Sequence, residues 1–158
     1  MALMLSNANG QLDARKIEAG SPFYWAWSPD SQSMLLHVGG SIRESRQARL
    51  ALKQRDGTET PKALARGPAW FQSPHYAPDG ASILYAATVN AGEDTLIVAD
   101  SQDNNARTVA TYEGAVAFAW SPDSKYISTY TTIVDLGKRQ AYKIPDVYIT
   151  GWVGYEDK

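Results

Sequence analysis

A short pattern that occurs three times constrains the fold of this chain more than any other feature. Each copy is an aromatic residue, a small residue, Pro, Asp and then Ser or Gly, at residues 27–31, 76–80 and 120–124. The prolines of the copies, Pro29, Pro78 and Pro122, lie 49 and then 44 residues apart. A repeat of this length is typical of solenoids and propellers, in which each repeat is one structural unit.

Each copy predicts a strand, a tight turn and a second strand. Pro fixes φ at the second position of a turn, Asp accepts a hydrogen bond from the backbone two residues later, and Ser or Gly tolerates the exit from the turn. Asp30, Asp79 and Asp123 could also be metal ligands or acid–base groups. Equivalent positions in separate units lie far apart, so we expect all three to form turns.

Aromatic residues precede these turns with a period of two, which is the signature of a strand with one buried face. An apolar run comes after each turn, as at residues 34–36, 83–85 and 126–127. We therefore expect the aromatic side chains to lie in the core between neighbouring units rather than to stack on a ligand. These side chains are Trp25, Trp27, Tyr76, Phe118 and Trp120.

The remaining strands and turns divide the chain into repeating units. Residues 1–20 predict a leading hairpin, since Asn9-Gly10 supplies a hairpin turn between two apolar runs. Residues 21–66, 67–113 and 114–146 predict three units of four antiparallel strands. Residues 147–158 predict a closing strand or the degenerate first strand of a fourth unit, in which Trp152 matches the position of Trp27 and Trp120.

The repeated aromatic-Ser-Pro-Asp-Ser/Gly pattern, with an apolar strand after it, resembles the blade repeat of TolB-like propellers. The same repeat occurs in the propellers of tricorn-type and prolyl-oligopeptidase-type peptidases. The resemblance covers residues 23–144 and implies an all-β fold, a β-propeller of four-stranded antiparallel blades with about three blades and extra terminal strands. Because proteins of many functions share this repeat, it implies a fold and not a task.

Three blades are fewer than the four to eight of typical closed propellers. An open arc leaves two apolar blade faces and free strand edges in water, which soluble proteins avoid. The chain could close as a small four-bladed ring, associate with further copies of itself, or be one segment of a longer propeller. We favour self-association, because a blade assembled from the hairpin and the last strand of one chain still lacks its second strand.

The composition excludes several classes of function. A formal net charge of −2 gives no electrostatic reason to bind nucleic acid or an anionic membrane, and no stretch is long enough to insert into a membrane. Without cysteine, the chain has no disulfide or thiolate site. As it stands, the sequence predicts a cytoplasmic protein, or a periplasmic one if it belongs to a longer exported protein. No cofactor is expected.

The resemblance also implies where a ligand or partner would bind. In propellers this is the face formed by the loops that lead into each blade and the loops between its second and third strands. On this loop face we expect a set of charged and aromatic residues: Tyr24, Arg43, Arg46, Trp70, Phe71, His75, Glu93 and Asp94. Two alternatives remain open, that Trp70 and Phe71 cap the central channel, and that Arg43 and Arg46 belong to a solvated loop.

The sequence contains no nucleophile elbow, phosphate loop or histidine-rich metal pattern, so we expect no enzymatic activity. The leading hypothesis is a non-catalytic scaffold that binds a protein or another ligand through the loop face and forms a homo-oligomer. One alternative is the propeller segment of a serine peptidase, which would control substrate access to a hydrolase domain. Another is a propeller that binds a small ligand or sugar through Trp70, Phe71 and His75.

Overall fold

The computed structural model describes residues 1–7, 9, 14–39, 48–56, 62–63, 69, 73–90, 93–112 and 117–153. The described strands are β1 (Ala2–Leu5), β2 (Arg15–Ala19), β3 (Phe23–Trp27), β4 (Ser33–Val38), β5 (Arg49–Gln54), β6 (Lys62–Ala63), β7 (His75–Tyr76), β8 (Ser82–Asn90), β9 (Glu93–Asp100), β10 (Arg107–Tyr112), β11 (Phe118–Trp120), β12 (Tyr126–Thr129), β13 (Thr132–Asp135) and β14 (Gln140–Lys143).

Three of the described sheets are four-stranded antiparallel meanders in which each strand pairs with the next one along the chain. We call them blade one (β3–β6), blade two (β7–β10) and blade three (β11–β14). Strands β1 and β2 pair with each other and form a separate two-stranded sheet, the hairpin. The predicted all-β propeller architecture is confirmed.

The repeated turns are built as their residue types predict. In blade one, the Ser31 N–H donates to the Ser28 carbonyl at 2.8 Å, and the Gln32 N–H donates to Oδ1 of Asp30 at 3.0 Å. The last residue of the pattern has positive φ in all three copies: 59° at Ser31, 74° at Gly80 and 59° at Ser124. Asp therefore holds the turn through the backbone two residues later, as predicted.

The blades bury their apolar side chains against one another. Blade one contributes Leu35, Leu50 and Leu52 to a core that it shares with one face of blade two, including Tyr76 and Ile83. The opposite face of blade two packs on blade three through a second buried group: Leu84, Leu96, Val98, Phe118, Trp120 and Ile127. Blade two thus presents one face to the preceding blade and the other to the next blade.

The hairpin takes the place of a blade before blade one. Leu3, Leu5 and Ile17 pack on the face of blade one that carries Met34 and Leu36. Because the hairpin has two strands and not four, it covers only part of this face.

Two predictions about the ends of the arc are wrong. The sequence predicts Trp25 and Trp27 in the core, but their exposed fractions are 47% and 36%, because no inner strands of a preceding blade cover them in the described part of the chain. The sequence also predicts a strand within residues 147–158, but the structure assigns none in the described part of that range, residues 147–153, which we call the tail. Among the described residues, the backbone of the tail bonds to blade three through the Ile149 N–H, and one such bond does not make the continuous ladder of a strand.

No helix in the part of the chain that the structure describes has the length and apolar character needed to cross a membrane.

Candidate functional site

Half of the predicted binding residues can be placed in the structure. Arg43, Arg46, Trp70 and Phe71 lie outside the described residues. The other four are described: Tyr24 lies in blade one, and His75, Glu93 and Asp94 lie in blade two.

Tyr24 and His75 lie in strands and contact neighbouring rings. Tyr24 pairs across the ladder with the buried His37, and their ring centroids are 5.3 Å apart. His75 lies in β7, and its ring is 5.2 Å from that of Phe118 in blade three. His75 is therefore at the contact between two blades, and not in the loop where the sequence placed it. Burial there lowers the pKa of its imidazole.

Glu93 and Asp94 begin strand β9, at the rim of blade two. Glu93 is exposed, whereas Asp94 is partly buried and accepts a hydrogen bond from Oγ1 of Thr88 at 2.7 Å. Asp94 also pairs in register with Tyr112 of β10. Burial raises the pKa of the Tyr112 hydroxyl, and the negative charge of Asp94 raises it further.

Tyr112 borders a groove of about 640 Å³ between blades two and three. Most of the side chains that line it carry hydroxyl groups, and one carries an ammonium group: Thr111, Tyr112, Thr129, Tyr130, Thr131, Thr132, Lys143 and Tyr148. The Tyr112 hydroxyl is buried and has no hydrogen-bond partner among the described residues. The chemistry of this lining suits a polar ligand.

The described residues hold no group of three or more His, Asp or Glu side chains that could bind a metal ion. The turn aspartates are engaged locally instead. Oδ1 of Asp123 accepts hydrogen bonds from the Ser121 hydroxyl at 2.7 Å and from the Lys125 N–H at 3.2 Å. These bonds hold the pKa of the Asp123 carboxyl below its usual value, with the Ser121 bond as the main cause.

The most distinctive surface is the exposed part of blade one, which we call the tryptophan face and define as Trp25 and Trp27. The aromatic residue before the repeated turn is 36% exposed at Trp27, but only 9% at Tyr76 and 8% at Trp120. An aromatic at this place in the repeat is thus buried wherever a complete blade precedes it. Trp27 is exposed because its neighbour is incomplete.

The far end of the arc is covered by the tail. The Trp152 Nε1–H donates to the Ala119 carbonyl at 3.3 Å, and its ring lies 6.2 Å from that of Tyr126. The Ile149 N–H donates to the Tyr130 carbonyl at 2.7 Å. Val147, Tyr148 and Val153 remain exposed, so this end also presents apolar surface to water.

Solved structures with the same arrangement of blades decide the fold. TolB from Acinetobacter baumannii is 18% identical over 90% of this chain and 37% of its own, with a TM-score of 0.65. The β-propeller domain of the Trilobed protease from Pyrococcus furiosus is 12% identical over 78% of this chain and 43% of its own (TM-score 0.56). A puromycin-hydrolyzing peptidase from Mycobacterium tuberculosis is 15% identical over 85% of this chain and 26% of its own (TM-score 0.59).

The chain has a TolB-like propeller fold. It spans about a third of the length of the TolB structure, so it corresponds to part of such a propeller. No family model matches the sequence, and no curated protein does. Because TolB and peptidases share the fold, the TolB-like propeller alone does not decide between binding and catalysis.

Sequence reasoning missed the tryptophan face of this TolB-like propeller, although a signal was present. The hairpin precedes Trp25 with only two strands, so the strand count implied that blade one would be covered incompletely. The period-two pattern reports that Trp25 and Trp27 share a face, but it does not report what lies against that face.

Proposed function

We propose that this chain is a non-catalytic scaffold of the TolB-like propeller type, which binds a protein or peptide partner and associates with further copies of itself. The exposure of Trp25 and Trp27 carries this proposal, because Tyr76 and Trp120, the equivalents of Trp27, are buried between blades. Large apolar patches that soluble proteins expose are typical of interaction sites.

The energetics favour covering this surface. Burying the exposed part of one Trp side chain contributes on the order of 2 kcal/mol, at about 25 cal/mol per Å² of apolar area. Tryptophan is also among the residues that contribute most to protein–protein interfaces. The tryptophan face is therefore the strongest candidate in the described part of the chain for an interface.

The described loop face supports a binding role more weakly. Glu93 is exposed at the rim of blade two, and Asp94 lies beside it with one carboxylate oxygen bonded to Thr88. Together with Arg43, Arg46, Trp70 and Phe71, they remain the predicted contact residues for a protein or peptide partner.

Light scattering coupled to size exclusion tests self-association. We expect the purified chain to elute with at least twice its monomer mass of 17.3 kDa at micromolar concentration. A monomer at all concentrations up to several hundred micromolar would contradict the proposal.

A substrate-gating propeller segment of a serine peptidase is the second candidate, because two of the similar structures come from a protease and a peptidase. The chain covers 26% of the puromycin-hydrolyzing peptidase, which leaves room for a catalytic domain in that protein. Sequencing the gene beyond the codon for Lys158 distinguishes the candidates: an open reading frame with a Gly-x-Ser-x-Gly motif favours the peptidase.

A further inference from the structure

We propose that the tail of one copy and the two-stranded hairpin of the next copy build one shared blade, in which the tail covers the tryptophan face. The two segments come from different copies because, within one copy, the hairpin packs on blade one and the tail packs on blade three, at opposite ends of the arc. This inference rests on the proposed self-association and names the surfaces that would carry it. It also orients the contact, which joins the end of one arc to the beginning of another.

The hairpin has the position of the outer half of a blade. Strand β2 leads directly into the innermost strand of blade one, as the fourth strands β6 and β10 lead into blades two and three. Arg49 of β5 forms an ion pair with Glu18 of β2 at 2.8 Å, and Arg15 of β2 donates to the Asp56 carbonyl after β5. The hairpin therefore extends over β5 as well as over Met34 and Leu36 of β4, and Trp25 and Trp27 of β3 remain exposed.

The tail has the position of the innermost strand of a further blade. Trp152 lies against β11 and β12 of blade three, much as Trp120 lies against blade two. Tyr148 contacts the same blade, with its ring 6.5 Å from that of Tyr130. Val147 and Val153 directly neighbour Tyr148 and Trp152 in the chain, and they are exposed rather than packed on blade three. They offer apolar side chains to the next copy.

The contact between blades two and three predicts the register of the shared blade. His75 directly precedes the turn aromatic Tyr76, and its ring lies 5.2 Å from Phe118, which is two residues before the turn aromatic Trp120. The equivalent residues of the shared contact are Gly151, directly before Trp152, and Trp25, two residues before Trp27. Gly151 is exposed, and a Cβ atom added there would meet nothing within 4 Å, so this position is open on its solvent side.

The same geometry limits the number of copies. Each copy would supply three complete blades and its share of one composite blade, so two copies make a ring of about eight blades, at the upper end of closed propellers. Three copies would exceed that range. We therefore expect a head-to-tail dimer.

Disulfide cross-linking tests the contact directly, because the chain contains no cysteine. One preparation carries Gly151→Cys and the other Trp25→Cys, and the two are mixed under mild oxidation. Only intermolecular disulfides can form between them. We expect a cross-linked dimer in the mixture, at a yield at least five times that of either variant alone.

A matched control replaces a second exposed glycine, Gly137, which lies in the turn between β13 and β14. Gly137→Cys mixed with Trp25→Cys should give no more than background cross-linking. Equal yields with Gly137→Cys would overturn the proposal. A high yield from Trp25→Cys alone would also overturn it, because that result indicates a contact between two tryptophan faces.

A second measurement tests the shared blade without cysteine variants, in case Trp25→Cys itself weakens the contact. We expect Trp25→Ser/Trp27→Ser and Val147→Asp/Val153→Asp each to give monomers by light scattering, with strand content retained by circular dichroism. Thr108→Asp, at an exposed position on the fourth strand of blade two, should leave the dimer intact. If oligomers persist in both double variants, the shared blade is overturned although self-association stands; if the wild type is a monomer, the proposed self-association fails as well.

Discussion

At the scale of single residues, the repeated turns have a hydroxyl–carboxylate pair that the pattern did not require. The Ser28 hydroxyl donates to Asp30 at 2.6 Å and accepts from the Ser33 N–H at 2.9 Å. Ser121 and Asp123 make the same arrangement in blade three. Blade two has Ala77 at this position and forms its turn without the hydroxyl.

Ser28→Ala should lower the free energy of unfolding by about 1–2 kcal/mol at pH 7, since it leaves a backbone N–H and a carboxylate without that partner. The exposed Thr108→Ala is the control and should change it by less than about 0.5 kcal/mol. Urea unfolding monitored by circular dichroism measures both. No difference between the two variants would contradict the role of Ser28.

The hydrogen bond from Ser28 lowers the pKa of Asp30, and the Gln32 N–H adds to this effect. Because the folded-state pKa is below the unfolded value of about 4, the ionised carboxylate stabilises the fold above pH 4. This contribution is lost as the pH falls through the lowered folded-state pKa. The difference in unfolding free energy between wild type and Asp30→Asn should therefore be largest above about pH 5 and shrink as the pH falls below about 4; a difference independent of pH would contradict this.

Tyr112 presents the opposite case, a buried hydroxyl without a partner among the described residues. Such a group costs about 1–3 kcal/mol of desolvation. Tyr112→Phe removes it at nearly constant shape and should leave the free energy of unfolding unchanged or raise it by about 1 kcal/mol. Thermal and urea unfolding test this, and a loss above about 1 kcal/mol would mean that the hydroxyl has a partner.

His75 gives the fold a pH dependence near neutrality. Its pKa is lowered by burial, so the folded state favours the neutral imidazole, whereas the unfolded chain binds a proton below about pH 6.5. The fold should therefore lose stability as the pH falls from about 7 to about 5. His75→Gln removes this titration, so the stability difference between wild type and variant should change across that range; parallel curves would contradict it.

At the scale of elements, each blade has an outer face, the face that looks toward the next blade along the chain. The residue types on this face differ according to whether another blade packs on it. Position 35 in blade one and position 84 in blade two are Leu, both fully buried and facing the next blade. The ladder places Ser128 at the same position in blade three, opposite Ala119. Blade three thus carries a polar Ser128 at the position where blades one and two carry a buried Leu.

Leu84→Ala should therefore cost about 2–5 kcal/mol of unfolding free energy, because it opens a cavity between two complete blades. Ile133→Ala on the partly exposed outer face of blade three should cost less than about 1.5 kcal/mol. Equal losses, measured by urea unfolding, would mean that both faces are packed to the same degree.

At the scale of the whole molecule, the arc ends in two different surfaces. The beginning presents Trp25 and Trp27, while the end is covered by the tail through Trp152. Different surfaces at the two ends favour a head-to-tail contact, which closes into a ring only if the rotation per copy divides a full turn.

Association of this kind makes stability depend on concentration. If the folded chain is a dimer, the midpoint of thermal unfolding should rise by several degrees when the protein concentration is raised about a hundredfold, because dissociation accompanies unfolding. Differential scanning calorimetry measures this shift. Trp25→Ser/Trp27→Ser should abolish the dependence, and a midpoint that is constant in the wild type would contradict a dimer.

The amino-acid sequence by itself determined the repeat, the turns and the four-stranded blades, because Pro-Asp turns and period-two aromatics act over a few neighbouring residues. It also indicated that Asp30, Asp79 and Asp123 are structural. It could not decide which aromatic residues are buried: Trp27 and Trp120 have the same local pattern, and only the tertiary structure, in which a hairpin or a complete blade lies against them, separates them. Nor could it place His75 between blades or bring Tyr112 beside Asp94, because burial and charge depend on residues that meet only when the blades pack.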